Sequence, residues 1–219
     1  MAVRDEGDAP ADRRVRVLGR PVDTYPDLAP EARRGSVRRI TVVGEEVLSR
    51  PCQEVTSFGS PGLAALIDDM FVTMYVADGA GLAANQVDVD LRLFVYDCPD
   101  DQGVRHVGHI VNPVLDQPDP GSRRLVDDSE GCLSVPGASM TLPRTDRATV
   151  RGFDKDGNPL VIEGTGYFAR CLQHESDHLV GHTYLDRLSK RDRKDALRQM
   201  EERSEDVFAR RALKASHPR

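Results

Sequence analysis

Two histidines lie four residues apart in the segment His174-Glu175-Ser176-Asp177-His178. In a helix, where each residue advances by about 100°, both imidazoles project from nearly the same face, with Glu175 on one flank. The spacing predicts two metal ligands beside a carboxylate that can act as a base. The same five-residue pattern also arises by chance, and many helical histidines only pack or face water. Further donors elsewhere in the chain are therefore needed to support a metal site.

A third donor is expected because two imidazoles leave a tetrahedral ion short of ligands. Cys132 is the candidate, since it lies in the polar, glycine-containing segment Glu130-Gly131-Cys132-Leu133-Ser134, which is unlike an ordinary core strand. A thiolate and two imidazoles leave one position open for water, as in catalytic rather than structural sites. The remaining cysteines have no partner pattern and are expected to be small buried hydrophobes: Cys52, Cys98 and Cys171.

A glycine-rich segment at residues 79–86, with the sequence GAGLAANQ, follows a predicted amphipathic helix. Apolar residues at helical spacing between Leu63 and Tyr75 predict the helix, with Ser60 as its N-cap and Pro61 as its first residue. Taken alone, the glycines indicate a helix end and a turn into a strand. The segment lacks the Lys-Ser/Thr ending of a phosphate loop and opens no helix, so nucleotide binding is not predicted.

Together the three segments resemble the signatures of the peptide deformylase family, which are GxGLAAxQ, EGCLS and HExDH in that order. Residues 79–86, 130–134 and 174–178 match all three. The resemblance covers residues 38–190. It implies an enzyme that removes the N-formyl group from the initiator methionine of new polypeptides, with N-formylmethionyl peptides as substrates.

The resemblance implies a metal centre with one divalent ion per chain. Cys132, His174 and His178 would be its ligands, and Glu175 would take the proton of the attacking water. Fe(II) is the favoured ion, with Zn(II) or Ni(II) able to occupy the site, and the sequence itself does not choose between them.

The resemblance also implies how the substrate is held. The side-chain amide of Gln86 and the backbone N–H of Leu133 would stabilise the oxyanion. An apolar pocket for the methionine side chain is expected near Ala80, Gly81 and Cys171.

Two other functions stay open at this point. The HExxH pattern is shared with zinc peptidases, although those enzymes usually take their third ligand after the helix rather than before it. Alternatively, the Cys-His-His site is structural and the protein only binds nascent chains or ribosomes. The presence of Glu175 and Gln86 argues against this alternative, because a closed structural site needs neither.

Composition predicts one globular domain with tails, since the 219 residues are 39% hydrophobic and carry a net charge of −6. No apolar run approaches the roughly 18 residues of a membrane span, and the first residues contain no apolar stretch of the kind expected in a signal peptide. Four scattered cysteines fit a reducing compartment better than a disulfide framework. We therefore expect a cytoplasmic protein that binds neither membrane nor DNA.

The predicted organisation is a flexible N-terminal extension at residues 1–37, a catalytic domain at 38–189 and a charged C-terminal helix at 190–219. Strands are predicted at 39–43, 91–97 and 109–111, with a hairpin joining 148–153 to 160–163, and residues 116–128 are predicted to form a loop. The predicted fold is α+β, with small antiparallel sheets around a central helix that carries the HExDH motif.

The C-terminal segment differs in charge from the rest of the chain. Residues 187–219 contain 11 Lys or Arg against 6 Asp or Glu. A narrow apolar stripe predicts a helix packed on the body. The resemblance adds weak ribosome association through this helix as a second interpretation, because a basic helix can bind RNA phosphates.

Overall fold

The computed structural model describes residues 12–117, 121 and 123–216. The outermost parts of the predicted terminal segments lie outside these residues, as does the middle of the loop predicted at 116–128. The strands are β1 (Arg16–Val17), β2 (Arg20–Pro21), β3 (Gly81–Ala83), β4 (Leu93–Pro99), β5 (Arg105–Leu115), β6 (Leu125–Cys132), β7 (Val135–Thr145), β8 (Arg147–Phe153) and β9 (Pro159–Thr165). The α-helices are α1 (Pro61–Val76), α2 (Gly166–His178) and α3 (Lys190–Ser216).

Two sheets surround the second helix. Within the described residues, one sheet has the order β2-β1-β5-β4-β3, with β8 paired to β5 and β9 paired to β8. The other consists of β6 and β7. The α+β prediction is confirmed, with one difference. The pairing of β1 with β5 is parallel, so the larger sheet is mixed rather than wholly antiparallel.

The central helix α2 carries the HExDH segment, as predicted. Ten of its 13 residues are buried, and it packs against strands of both sheets. Phe168 and Leu172 are fully buried in the core beside β4 and β9. Gly181 follows the helix with a φ of 82°, a backbone conformation that favours glycine. The chain therefore changes direction soon after His178, so this histidine lies in the last turn of α2.

The first helix, α1, delivers the glycine-rich segment to the same place. Its N-cap is Ser60, whose Oγ accepts a hydrogen bond from the backbone N–H of Leu63 at 3.2 Å, as predicted. Its apolar face is buried in the largest core cluster. After Val76 the chain turns and enters β3, which is the edge strand of the mixed sheet and lies against α2.

The strand predictions are correct for β4, for β5 and for the hairpin of β8 with β9. The strand predicted at 39–43 is wrong. Thr41 donates its backbone N–H to Gln86 O at 2.8 Å and Val43 donates to Ser134 O at 2.8 Å, so this extended segment bridges two different loops instead of pairing with one strand. The predicted loop at 116–128 is wrong at its end, because β6 begins at Leu125.

Residues 12–37 lie against the body of the protein. Strand β1 extends the mixed sheet beside β5, and Ala29 is fully buried in the core cluster of α1. Arg34 forms an ion pair with Asp68 of α1 at 2.7 Å. No helix among the described residues is long and apolar enough to cross a membrane.

Candidate metal centre

Three potential metal ligands meet where β6 ends against α2. The donor atoms of Cys132, His174 and His178 all lie within 4.8 Å of one another. His178 Nε2 is 3.2 Å from Cys132 Sγ and 3.2 Å from His174 Nε2. A tetrahedral ion with bonds of about 2.0–2.3 Å holds its ligand atoms roughly 3.3–3.6 Å apart. The three side chains therefore fit a divalent ion.

Local structure explains how the cysteine reaches the helix. The register of β6 with β7 shifts between Gly131 and Cys132, and Cys132 then pairs with Val135 across a tight turn. Such a bulge re-aims a side chain. Here it directs Sγ towards the two imidazoles, which lie one helical turn apart on the buried face of α2.

Glu130 orients the first histidine. Its Oε1 is 2.6 Å from His174 Nδ1. A hydrogen bond from Nδ1–H to a carboxylate leaves Nε2 free to coordinate a metal and increases its basicity. Burial alone would lower the pKa of His174, but its hydrogen bonds to Cys132 and Glu130 raise it above the usual range. Sequence reasoning missed this contact. A signal was available, because Glu130 lies only two residues before Cys132 in the same short motif.

Two arginines neutralise Glu130. Arg144 donates to it through Nε at 3.0 Å and Nη2 at 2.6 Å, and Arg170 donates through Nη1 at 3.0 Å. Burial alone would raise the pKa of Glu130, but the bonds from His174 and Arg144 hold it below the usual range. Arg144 also donates to Asp177 at 2.6 Å. The network is almost inaccessible, with 4% of the Glu130 side chain and 2% of the Arg144 side chain exposed.

The candidate base is buried beside the metal ligands. Glu175 is 3% exposed. Its Oε2 has no hydrogen-bond partner among the described residues. Burial, which penalises the charged form, raises the pKa of Glu175 to about 7. A carboxyl group with that pKa can both accept and return a proton at neutral pH.

The glutamine of the glycine-rich segment reaches the same cluster. Gln86 Nε2 lies 3.5 Å from Cys132 Sγ and donates to Ser134 Oγ at 3.1 Å. Its Oε1 accepts from the backbone N–H of Ala83 at 2.9 Å, which fixes the orientation of the amide. The donor end of Gln86 therefore faces the metal ligands.

The two glycines of this segment lie in close contact with neighbouring side chains. A Cβ on Gly79 would lie 2.7 Å from the Leu133 side chain. A Cβ on Gly81 would lie 2.5 Å from Glu175 Oε1 and 2.8 Å from Cys171 Sγ. The glycine-rich segment is therefore more than a helix terminator, because it lets the backbone of β3 approach the candidate base.

A cavity of about 420 Å³ opens beside these groups. It is lined by most of the site residues predicted from the sequence: Ala80, Gly81, Gln86, Cys132, Leu133, Cys171, His174 and Glu175. His178 is fully buried behind them. Residues of α3 also line the cavity, which the sequence did not predict, because it placed α3 outside the catalytic domain.

A Cys-His-His cluster with a buried carboxylate at a cavity defines a metal-dependent hydrolase. A sequence model of the polypeptide deformylase family matches residues 37–194. Peptide deformylase 1 of Streptomyces avermitilis is 59% identical over 169 residues, which cover 77% of this chain and 78% of that protein. The chain belongs to the peptide deformylase family, enzymes that remove the N-formyl group from newly made polypeptides.

Solved structures agree with this assignment. A peptide deformylase from Legionella pneumophila has a TM-score of 0.70 and 40% identity, with 80% of this chain and 99% of that chain covered. A peptide deformylase from Ehrlichia chaffeensis in complex with actinonin has a TM-score of 0.69 and 37% identity, with 77% and 98% covered. The resemblance stated from the three motifs is thereby confirmed.

Proposed function

We propose that this chain deformylates N-formylmethionyl peptides in the cavity beside Cys132, His174 and His178. The proposal depends mainly on the surroundings of Glu175. Its carboxylate is buried next to a three-ligand cluster, and one of its oxygens has no hydrogen-bond partner within the described part of the chain, an arrangement that suits hydrolysis and that a structural site does not need.

The proposed metal ligands fit one divalent ion. Bound there, the ion would act as a Lewis acid and lower the pKa of water. Glu175 takes the proton of the attacking water and later gives it to the departing amine. Glu130 keeps His174 in the tautomer that presents Nε2.

The oxyanion that forms at the formyl carbon needs preorganised donors. We assign this role to the Gln86 amide and the backbone N–H of Leu133. Gln86 is held rigid by its bond from Ala83, and both residues line the cavity. Rigid donors cost little reorganisation when charge develops.

The methionine side chain is assigned to the pocket around Ala80, Gly81 and Cys171. Cys171 is buried, and its Sγ–H donates to Ala80 O at 3.6 Å, so the polar atoms of this wall are partnered. A largely apolar surface suits an unbranched thioether side chain.

Fe(II) is our favoured ion, with Zn(II) or Ni(II) able to bind. A thiolate and two imidazoles suit several first-row metals, so the ion that occupies the site would depend on which metals are available in the cell. Iron beside a thiolate predicts that activity decays in air, whereas stable aerobic activity of the iron-loaded protein would contradict this choice.

The decisive experiment measures formate release from a formyl-Met tripeptide by protein purified without oxygen, with metal quantified on the same sample. Rapid release at about one ion per chain is expected. The same tripeptide without the formyl group serves as the control. Cleavage of that control peptide, or no release from a fully loaded site, would instead favour a zinc peptidase or a structural metal site.

Two further proposals concern the cellular compartment and association with the ribosome. We place the protein in the cytoplasm, because its four cysteines are free and the family acts on new polypeptides. Weak ribosome association through the basic C-terminal helix is proposed from its charge. Ribosome co-sedimentation at low salt that is unchanged by deletion of residues 190–219 would argue against that association.

A further inference from the structure

One face of α3 forms a wall of the active-site cavity. Val207, Arg210, Arg211 and Lys214 line the same space as Glu175. Their spacing of three, four and seven residues places them on one side of a helix. The wall contributes three cations to the cavity that Cys132 and His174 also line.

The wall is fixed to the body of the protein. Ala196 of α3 is fully buried in the core cluster beside β7. Arg203 donates to Gly137 O at 3.3 Å. Arg211 donates through Nη2 to the carbonyl of Leu133 at 3.0 Å. Helix α3 is thus tied directly to the segment that carries the metal ligand Cys132.

The charges on this wall are only partly neutralised. Lys214 pairs with Asp78, which also lines the cavity. Arg210 is exposed and forms no ion pair among the described residues. The Nε of Arg211 is buried and has no acceptor within that part of the chain. Arg210 therefore offers unpaired donors to whatever occupies the cavity, and Arg211 adds a second positive charge to the same wall.

We propose that this wall, defined by Arg210, Arg211 and Lys214, binds a carboxylate side chain in the first residues after the formylmethionine of the substrate. The inference rests on the proposed function, because it places the formyl group beside Glu175. Each following residue of an extended peptide adds about 3.3–3.6 Å, so the next few residues leave the cavity past the wall. Guanidinium groups match carboxylates in geometry and charge.

The test uses formyl-Met peptides with amidated C-termini, so that no terminal carboxylate interferes. Asp is placed at the second, third or fourth residue, and each peptide has an Asn twin of the same shape. We expect kcat/KM to favour Asp at one position by about three- to tenfold at low ionic strength, since the contacts are partly exposed. The preference should shrink in strong salt, because screening shortens the reach of these charges.

Three variants localise the effect. Arg210→Gln should bring the Asp-to-Asn ratio close to one. Arg198→Gln is the matched control, because Arg198 is an exposed cation of the same helix that does not line the cavity. It should keep the full preference. Asp78→Asn frees Lys214 and should increase the preference; Asn tolerates the positive φ of 58° at this position.

Equal rates for the Asp and Asn peptides would overturn the inference and leave the proposed function intact. A ratio that changes equally in R210Q and R198Q would also overturn it, because the effect would then come from the overall charge of the protein. If the metal-loaded protein hydrolysed neither peptide, the proposed function and the inference would fail together.

Discussion

Replacing Glu130 by glutamine tests the buried network that holds the first histidine. The substitution keeps the shape of the side chain and removes its charge. Four hydrogen bonds from three residues converge on the two carboxylate oxygens. In either orientation of the new amide, an NH₂ group would face donors, so two of these bonds would be lost.

The E130Q protein should be less stable than the parent protein, because the arginines that contact Glu130 would stay buried. Arg144 and Arg170 would lose a negative partner in a region with almost no solvent access. Breaking a buried ion pair costs about 3–5 kcal/mol. Because Asp177 continues to pair with Arg144, we expect the lower end, about 3 kcal/mol. His174 would also lose its orienting acceptor, which should weaken metal binding by about 10- to 100-fold.

The free energy of unfolding would be measured by urea denaturation of the metal-free protein, because bound metal would add its own binding energy. Metal affinity would be measured separately, by competition with a chelator. Glu163→Gln is the matched control, since Glu163 is exposed on β9. The reasoning would be refuted by an E130Q protein within about 0.5 kcal/mol of E163Q and with unchanged metal affinity.

Three further predictions concern single residues. Glu175→Gln should lower kcat by about 10²- to 10⁴-fold while metal content stays at the parent level, as steady-state assays and metal analysis would show. Gly81→Ala should displace the Glu175 carboxylate, which should lower kcat and change the free energy of unfolding only slightly. Gly62→Ala is the control, because its Cβ meets no atom within 4 Å, and it should leave kcat unchanged. Burial lowers the pKa of His109 to about 4, so this imidazole binds fewer protons in the folded protein than in the unfolded chain below pH 6.5. Stability should therefore fall by up to roughly 3 kcal/mol as the pH drops from 7 to 4, and urea titrations of His109→Gln should show a smaller decrease.

The three candidate metal ligands could be found in the sequence because each lies in a short contiguous motif. The spacing of His174 and His178 depends only on helix geometry. The burial of α2, which raises the pKa of Glu175, was also predictable, because Phe168, Cys171, Leu172 and Leu179 place an apolar stripe around the motif at helical spacing. The helix spacing and the burial are local features, whereas the contact of Cys132 with His178 joins residues that are 46 apart in sequence.

Other features depend on contacts between distant segments. The extended segment at 39–43 has the composition of a strand, but its two partners lie in separate loops, and no local pattern indicates this. The position of α3 also could not be predicted from the sequence. A narrow apolar stripe predicts that a helix packs on the body, but it does not predict which surface the helix covers.

The position of α3 also determines when the cavity is completed during synthesis. The contact of Arg211 with Leu133 spans 78 residues of sequence, and that of Lys214 with Asp78 spans 136. Such non-local contacts form slowly, and here they need a helix that the ribosome makes after the candidate metal ligands. A nascent chain that ends before α3 would already carry Cys132, His174 and Glu175 but would lack the cationic wall. The residues of the candidate metal site are therefore synthesised before the helix that completes the cavity.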